Sequence, residues 1–188
     1  MKIISSTIIL IVIGCTSIFG QSGNFNFYYC TYDNQQTKID SFIYIGDGNT
    51  EIKVLIRDKE HSITPKDIKY LNCVSDNYNL TIESVLDFKT IQYDYTKTGV
   101  FLSKIVSGKI NLYLFKGVHN GEPNPVFCVK DKNKWLCFDV YDKRFKLKAK
   151  DYFKNKDSVL SYFNELYNSN RFTLNCIKEL IELYNESP

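Results

Sequence analysis

The sequence predicts an α+β fold, in which an N-terminal antiparallel β-sheet, a sandwich or partly closed barrel built mostly of hairpins, precedes C-terminal helices. Three observations lead there. The chain holds 14 Tyr and 13 Phe, and aromatic and β-branched residues suit strands. Apolar runs over about 25–140 are punctuated by Gly, Pro, Asn and Asp turns. After Tyr141 the apolar spacing becomes helical, and helices follow over about 145–185. Strands first and helices last place helices on or beside an antiparallel sheet.

In chain order, Phe42 to Ile45 and Ile52 to Ile56 flank Gly46-Asp47-Gly48-Asn49 and make a first hairpin. Thr64-Pro65-Lys66-Asp67 sets a capping hydroxyl, a proline and a carboxylate in the order of a single short helical turn, leading to Tyr70-Leu71-Asn72-Cys73. Phe101 to Val106 and Ile110 to Phe115 form a second hairpin around Ser107-Gly108. Gly117 to Pro125, with two Gly and two Pro, reads as an irregular loop.

Val126 to Lys130 and Trp135 to Val140 form a third hairpin, and its register follows from burial. Pairing positions whose numbers sum to 265 sets Phe127 against Phe138 and Val129 against Leu136, so one side is wholly apolar. Cys128 then faces Cys137, and Lys130 faces Trp135. A slip of one residue would scramble this sorting. Further on, Val159, Leu160, Phe163, Leu166 and Tyr167 recur at helical spacing, with Asp157 or Ser158 as cap. Leu174, Ile177, Leu180, Ile181 and Tyr184 do the same behind Thr173, and Phe145 to Phe153 makes a shorter helix.

The first twenty residues, MKIISSTIILIVIGCTSIFG, have the anatomy of an export signal: one charge at Lys2, an apolar run from Ile8 to Ile13, and small residues before a cut after Gly20. The run is too short and too interrupted for a spanning helix, which needs ~20 apolar residues. Val12-Ile13-Gly14-Cys15 also resembles a bacterial lipobox, which makes Cys15 a candidate lipidation site. Apolar Ile18 and Phe19 after the Cys favour simple cleavage before Gln21 instead. Either way the protein is expected outside the cytosol, in the periplasm, on the outer-membrane surface or beyond the cell.

Removing residues 1–20 of 188 leaves 168, read as one α+β domain over 21–188 and long enough to bury a core. The signal takes one of 24 basic residues and none of the 21 acidic ones, so the remaining formal charge is +2. That balance argues against a dedicated nucleic-acid binder. Of six cysteines, at 15, 30, 73, 128, 137 and 176, five survive simple cleavage. An odd number outside the cytosol implies a free thiol or an intermolecular bond. Cys128 and Cys137 are the candidate disulfide; the alternative is two small apolar residues on a half-buried face.

Thr64-Pro65-Lys66-Asp67-Ile68-Lys69, Phe101-Leu102-Ser103-Lys104-Ile105-Val106, Gly108-Lys109-Ile110-Asn111-Leu112-Tyr113, Asp151-Tyr152-Phe153 and Tyr184-Asn185 fall in an order that resembles a family of short exported proteins of Bacteroidota-type bacteria. The resemblance spans most of residues 21–188. It implies an envelope or surface address and an all-β front half. It implies no activity and brings no catalytic or binding residue with it.

No catalytic signature stands out. There is no G-x-S-x-G elbow, no phosphate loop, no dinucleotide fingerprint and no metal-ligand spacing. His61 reads as part of a charged turn; His119 with Glu122 in the Gly/Pro loop is a candidate to line a site, since loops often carry function, but a solvated loop histidine is the favoured reading. Glu179 and Glu182 read as a solvated helix face. Lys143, Arg144, Lys146, Lys148 and Lys150, interleaved with Phe145, Leu147 and Ala149, form the densest basic cluster. It could meet anionic lipid headgroups or another acidic surface, but an ordinary charged sheet edge or a solvated helix start is the reading the pattern favours. Lys130 opposite Trp135 suggests a cation–π pair, and an exposed Trp would also stack on a sugar or peptide. The expectation is a non-enzymatic binding or accessory module of the envelope with no cofactor. Its only membrane contact would be a lipid anchor or the basic patch. A hydrolase-like enzyme with a scattered site and a surface scaffold are the alternatives.

Overall fold

The computed structural model describes residues 25–45, 49–76, 78–89, 94–119, 122–131, 134–138 and 144–187. These are mostly antiparallel strands followed by three helices, in two compact units. Residues up to Ser84 together with Thr98–Phe101 form the first, and Val85–Lys97 with residues from Leu102 onward form the second. The strand orders are open in both units, so neither closes into a barrel.

The first unit holds β1 (Asn26–Thr31), β2 (Gln36–Ile39), β3 (Ser41–Ile45), β4 (Glu51–Ile56), β5 (Lys59–Ile63), β6 (Ile68–Ser75) and β7 (Tyr78–Val85). One layer runs β7-β6-β1-β2 and the other β3-β4-β5. Phe27 and Ile39 from the first layer and Phe42, Ile52 and Val54 from the second are all buried in one core. Alternation along β4, with Ile52 and Val54 inward, is the period-two signature of a half-buried strand. Between β2 and β3 the chain changes layer at Asp40, whose Oδ2 accepts the Arg57 amide at 2.6 Å. The Thr64–Asp67 turn closes reciprocally: Asp67 Oδ2 accepts from the Thr64 amide (2.7 Å) and hydroxyl (2.8 Å), and Asp67 N donates to Thr64 O (3.0 Å).

His61 is not in a turn. It lies in β5 opposite Val54. The turn comes earlier, at Arg57 and Asp58, which both adopt positive φ (50° and 62°). Two left-handed residues are what a two-residue hairpin of this kind needs; Asp58 is a type that tolerates this, whereas Arg57 gives no sign of it.

The second unit contains β8 (Val100–Val106) from Leu102 onward, then β9 (Asn111–His119), β10 (Glu122–Asp131) and β11 (Lys134–Phe138), in the order β11-β10-β9-β8. The expected irregular loop at 117–125 is instead the continuation of a long hairpin, with Glu122 opposite His119 and Pro125 opposite Lys116. Among the described residues β11 pairs with Phe127–Asp131, and Pro123 and Pro125 pair with β9 alone. Proline is confined to strand positions that need no ladder N–H.

The β10–β11 register is the one read from burial: Phe127 opposite Phe138, Cys128 opposite Cys137, Val129 opposite Leu136 and Lys130 opposite Trp135. Helices α1 (Phe145–Phe153), α2 (Asp157–Asn168) and α3 (Leu174–Glu186) follow. Phe138 from the apolar face meets Phe145 (5.6 Å between ring centroids) and Phe172 (6.4 Å), and Phe145 meets Phe163 (5.9 Å). Aromatic edges thus join the helices to the sheet. Thr173 caps α3, accepting from Cys176 N at 3.3 Å. The N-cap of α2 is Lys156, with no side-chain bond, rather than Asp157 or Ser158. Asp157 is the first helical residue, where its carboxylate still favours the helix dipole.

Candidate functional site

The basic cluster lies on a helix. Helix α1 buries Phe145, Ala149 and Phe153, spaced by four, so they form one face. The opposite pole falls at Leu147, which is 71% exposed, the most open of the large hydrophobics among the described residues. Arg144 and Lys150 lie three residues to either side of it, neighbours on a helix surface. Lys150 and Lys154 are exposed, and Lys154 pairs with Asp151 at 2.9 Å. Lys146 turns toward α2, its Nζ 4.3 Å from the Tyr167 ring centroid, and Tyr167 is itself 37% exposed. The surface therefore combines cations with two open apolar side chains, Leu147 and Tyr167.

Charge is segregated along this part of the chain. Residues 144–156 carry six basic side chains and one acidic, Asp151. Residues 157–187 carry five acidic and two basic. The face of α1 is thus cationic in a protein whose overall charge is nearly balanced. Such a face attracts anionic partners at short range, within a Debye length of ~8 Å at physiological salt.

A second feature occupies the other face of the β9–β11 sheet. Cys128 and Cys137 are joined by a disulfide, with Cα atoms 4.0 Å apart, near the ~4.5 Å of a non-hydrogen-bonded antiparallel pair. Trp135 lies two residues along on the same face. It is packed between Phe88 (4.9 Å) and Tyr113 (5.6 Å), with its indole nitrogen buried. It is no exposed stacking platform. Lys130 Nζ sits 5.2 Å from its ring centroid and 2.6 Å from Asp87 Oδ2, so the expected cation–π pair also carries an ion pair. This face is a structural cluster.

The remaining sequence candidates do not converge. The side chains of His119 and Glu122 lie outside the described residues, as do Lys143, Cys15 and the export segment 1–20. Glu179 is not merely solvated: it accepts the Tyr162 hydroxyl at 2.7 Å, which pushes that phenol up to about 12. Glu182 approaches Lys178 at 3.8 Å. Cys30 and Cys73 are buried, and Cys176 is half-buried. Among the described residues, no group of three or more His, Cys, Asp or Glu is placed to hold a metal, and no helix is long and apolar enough to cross a membrane. Tyr167 is the participant the sequence did not flag. Its spacing assigns it to the apolar stripe, and nothing in the pattern links it to Lys146, 21 positions earlier.

No family model, no curated protein and no solved structure matches the chain.

Proposed function

We propose that the protein is an exported, non-enzymatic binding or accessory module of the cell envelope, and that it meets its partner through the cationic face of α1. The observation that supports binding is the exposure of Leu147 at the pole of a helix whose flanking residues are Arg144 and Lys150. An open Leu set among cations, with Tyr167 also open beneath the Lys146 ammonium, is a surface that a contact can use at both its charged and its apolar points. The anatomy of residues 1–20 supports the export reading.

The test uses the natively processed protein. Its N-terminus, read by mass spectrometry, is expected at Gln21; a lipidated Cys15 would make it a tethered module, and an intact Met1 would remove the export reading. Retention on washed envelopes is expected to fall in Lys150→Glu/Lys154→Glu. Equal retention of the folded variant would contradict the assignment of the contact face.

A further inference from the structure

We infer that the partner of α1 is an anionic phospholipid bilayer, with Leu147 entering the headgroup layer and Lys148, Lys150 and Lys154 meeting the phosphates. This inference rests on the reading of α1 as the contact face.

Two properties of the surface must be matched at once. The cations call for a negative partner. Leu147, 71% exposed between Arg144 and Lys150 and one turn before the Lys154-paired Asp151, gains from a partner that also offers an apolar layer. A nucleic acid would satisfy the first and leave Leu147 in water, and the balanced overall charge is not that of a nucleic-acid binder. A bilayer presents both, an anionic skin over an apolar interior. Lysine suits this geometry, because its stem lies along apolar surface while the ammonium stays at the headgroups. Tyr167, half open beneath the Lys146 ammonium, has the amphipathic character favoured at that depth.

Orientation follows from the charge segregation. The five carboxylates and two cations of residues 157–187 make the α2–α3 segment net acidic, and an anionic surface repels it. Only α1 offers a positive approach within the helical part of this unit. A nine-residue helix spans ~13 Å, so it can dock flat but not insert as a whole. Binding by a few lysines and one leucine is reversible and salt-sensitive.

The test is co-sedimentation of the natively processed protein with vesicles of phosphatidylcholine alone or mixed with phosphatidylglycerol. The expected result is at least ~10-fold stronger binding to the mixed vesicles at low salt, lost at high salt. Lys150→Glu/Lys154→Glu should abolish the preference, and Lys150→Gln/Lys154→Gln, which perturbs the helix less, should weaken it. Leu147→Ser should reduce binding several-fold with the salt dependence kept, and Leu147→Trp should give an emission that shifts blue on the vesicles. Equal binding to both vesicle types, or Leu147→Ser matching the parent, overturns the inference. No vesicle binding together with charge-dependent retention on envelopes overturns the bilayer but leaves the binding module standing. Charge-independent retention removes both.

Discussion

Asn185 acts as a strand partner for Ile110. Its Oδ1 accepts the Ile110 amide at 2.9 Å, and its Nδ2 donates to the Ile110 carbonyl at 3.1 Å. One side chain from the end of α3 thereby satisfies both backbone groups of a residue 75 positions away. Gly108 completes the arrangement. A Cβ there would collide with the Asn185 amide, so the glycine is required by space. Lys109 Nζ adds a bond to the Ser187 carbonyl.

This contact predicts strong coupling. Asn185→Ala is expected to cost about 1–3 kcal/mol, since it leaves two half-buried backbone groups without their partner. Gly108→Ala should destabilise by a similar amount by expelling the amide. In the double variant the second change should add little, giving a coupling of about 1 kcal/mol or more in urea unfolding. Additive losses would show that the two positions act separately.

The Cys128–Cys137 disulfide predicts that intact mass rises by about 2 Da on reduction, one hydrogen for each sulfur. It spans nine positions, so its chain-entropy contribution is at most about 2–3 kcal/mol. Cys128→Ser/Cys137→Ser should therefore lower the unfolding midpoint and still fold, with Phe127, Val129, Leu136 and Phe138 keeping the register. Loss of folding would mean that the bridge, rather than that face, sets the pairing.

Phe88 predicts a spectroscopic signature. It is fully buried against Phe115 (5.2 Å) and the sole tryptophan, Trp135. Phe88→Ala should cost about 3–5 kcal/mol and shift the tryptophan emission to the red as water reaches the indole. A variant with parental emission and stability would contradict the packing of the Leu86–Phe88 segment over this sheet face.

Tyr162 predicts an alkaline dependence. Its O–H donates to Glu179, so the neutral phenol is favoured in the fold and its pKa rises from 10.0 to about 12. Above pH 10 the unfolded chain loses this proton first, and proton linkage then lowers stability. The contribution is whole below pH 10 and lost as pH rises through about 12. The stability gap between the parent and Tyr162→Phe should therefore narrow across that window, and Glu179→Gln should bring the phenol back toward 10.0. A pH-independent gap would contradict the bond.

The legible parts of the fold share one cause. Where a face is buried, side-chain sorting betrays register, as at Phe127, Val129, Leu136 and Phe138. Where a cap uses a hydroxyl, as at Thr173, the residue type betrays the boundary. What stayed hidden was decided by backbone or by distant partners. Arg57 and Asp58 turn with positive φ although neither is glycine, which concealed β5 and placed His61 wrongly. Pro123 and Pro125 look like loop residues, yet they continue the pairing with β9. The basic cluster was legible as composition. Its helical pole at Leu147 and its Tyr167 neighbour were not, because burial on the Phe145 and Phe153 side depends on packing against the rest of the unit.

The central claim is that α1 is the contact face, and lysine-acylation footprinting of the natively processed protein, free and bound to envelopes, tests it most directly. The account predicts that Lys148, Lys150 and Lys154 lose reactivity on binding while Lys38, Lys69 and Lys104 keep theirs. Unchanged reactivity along α1, with protection appearing at Lys130 beside Trp135 instead, would contradict it.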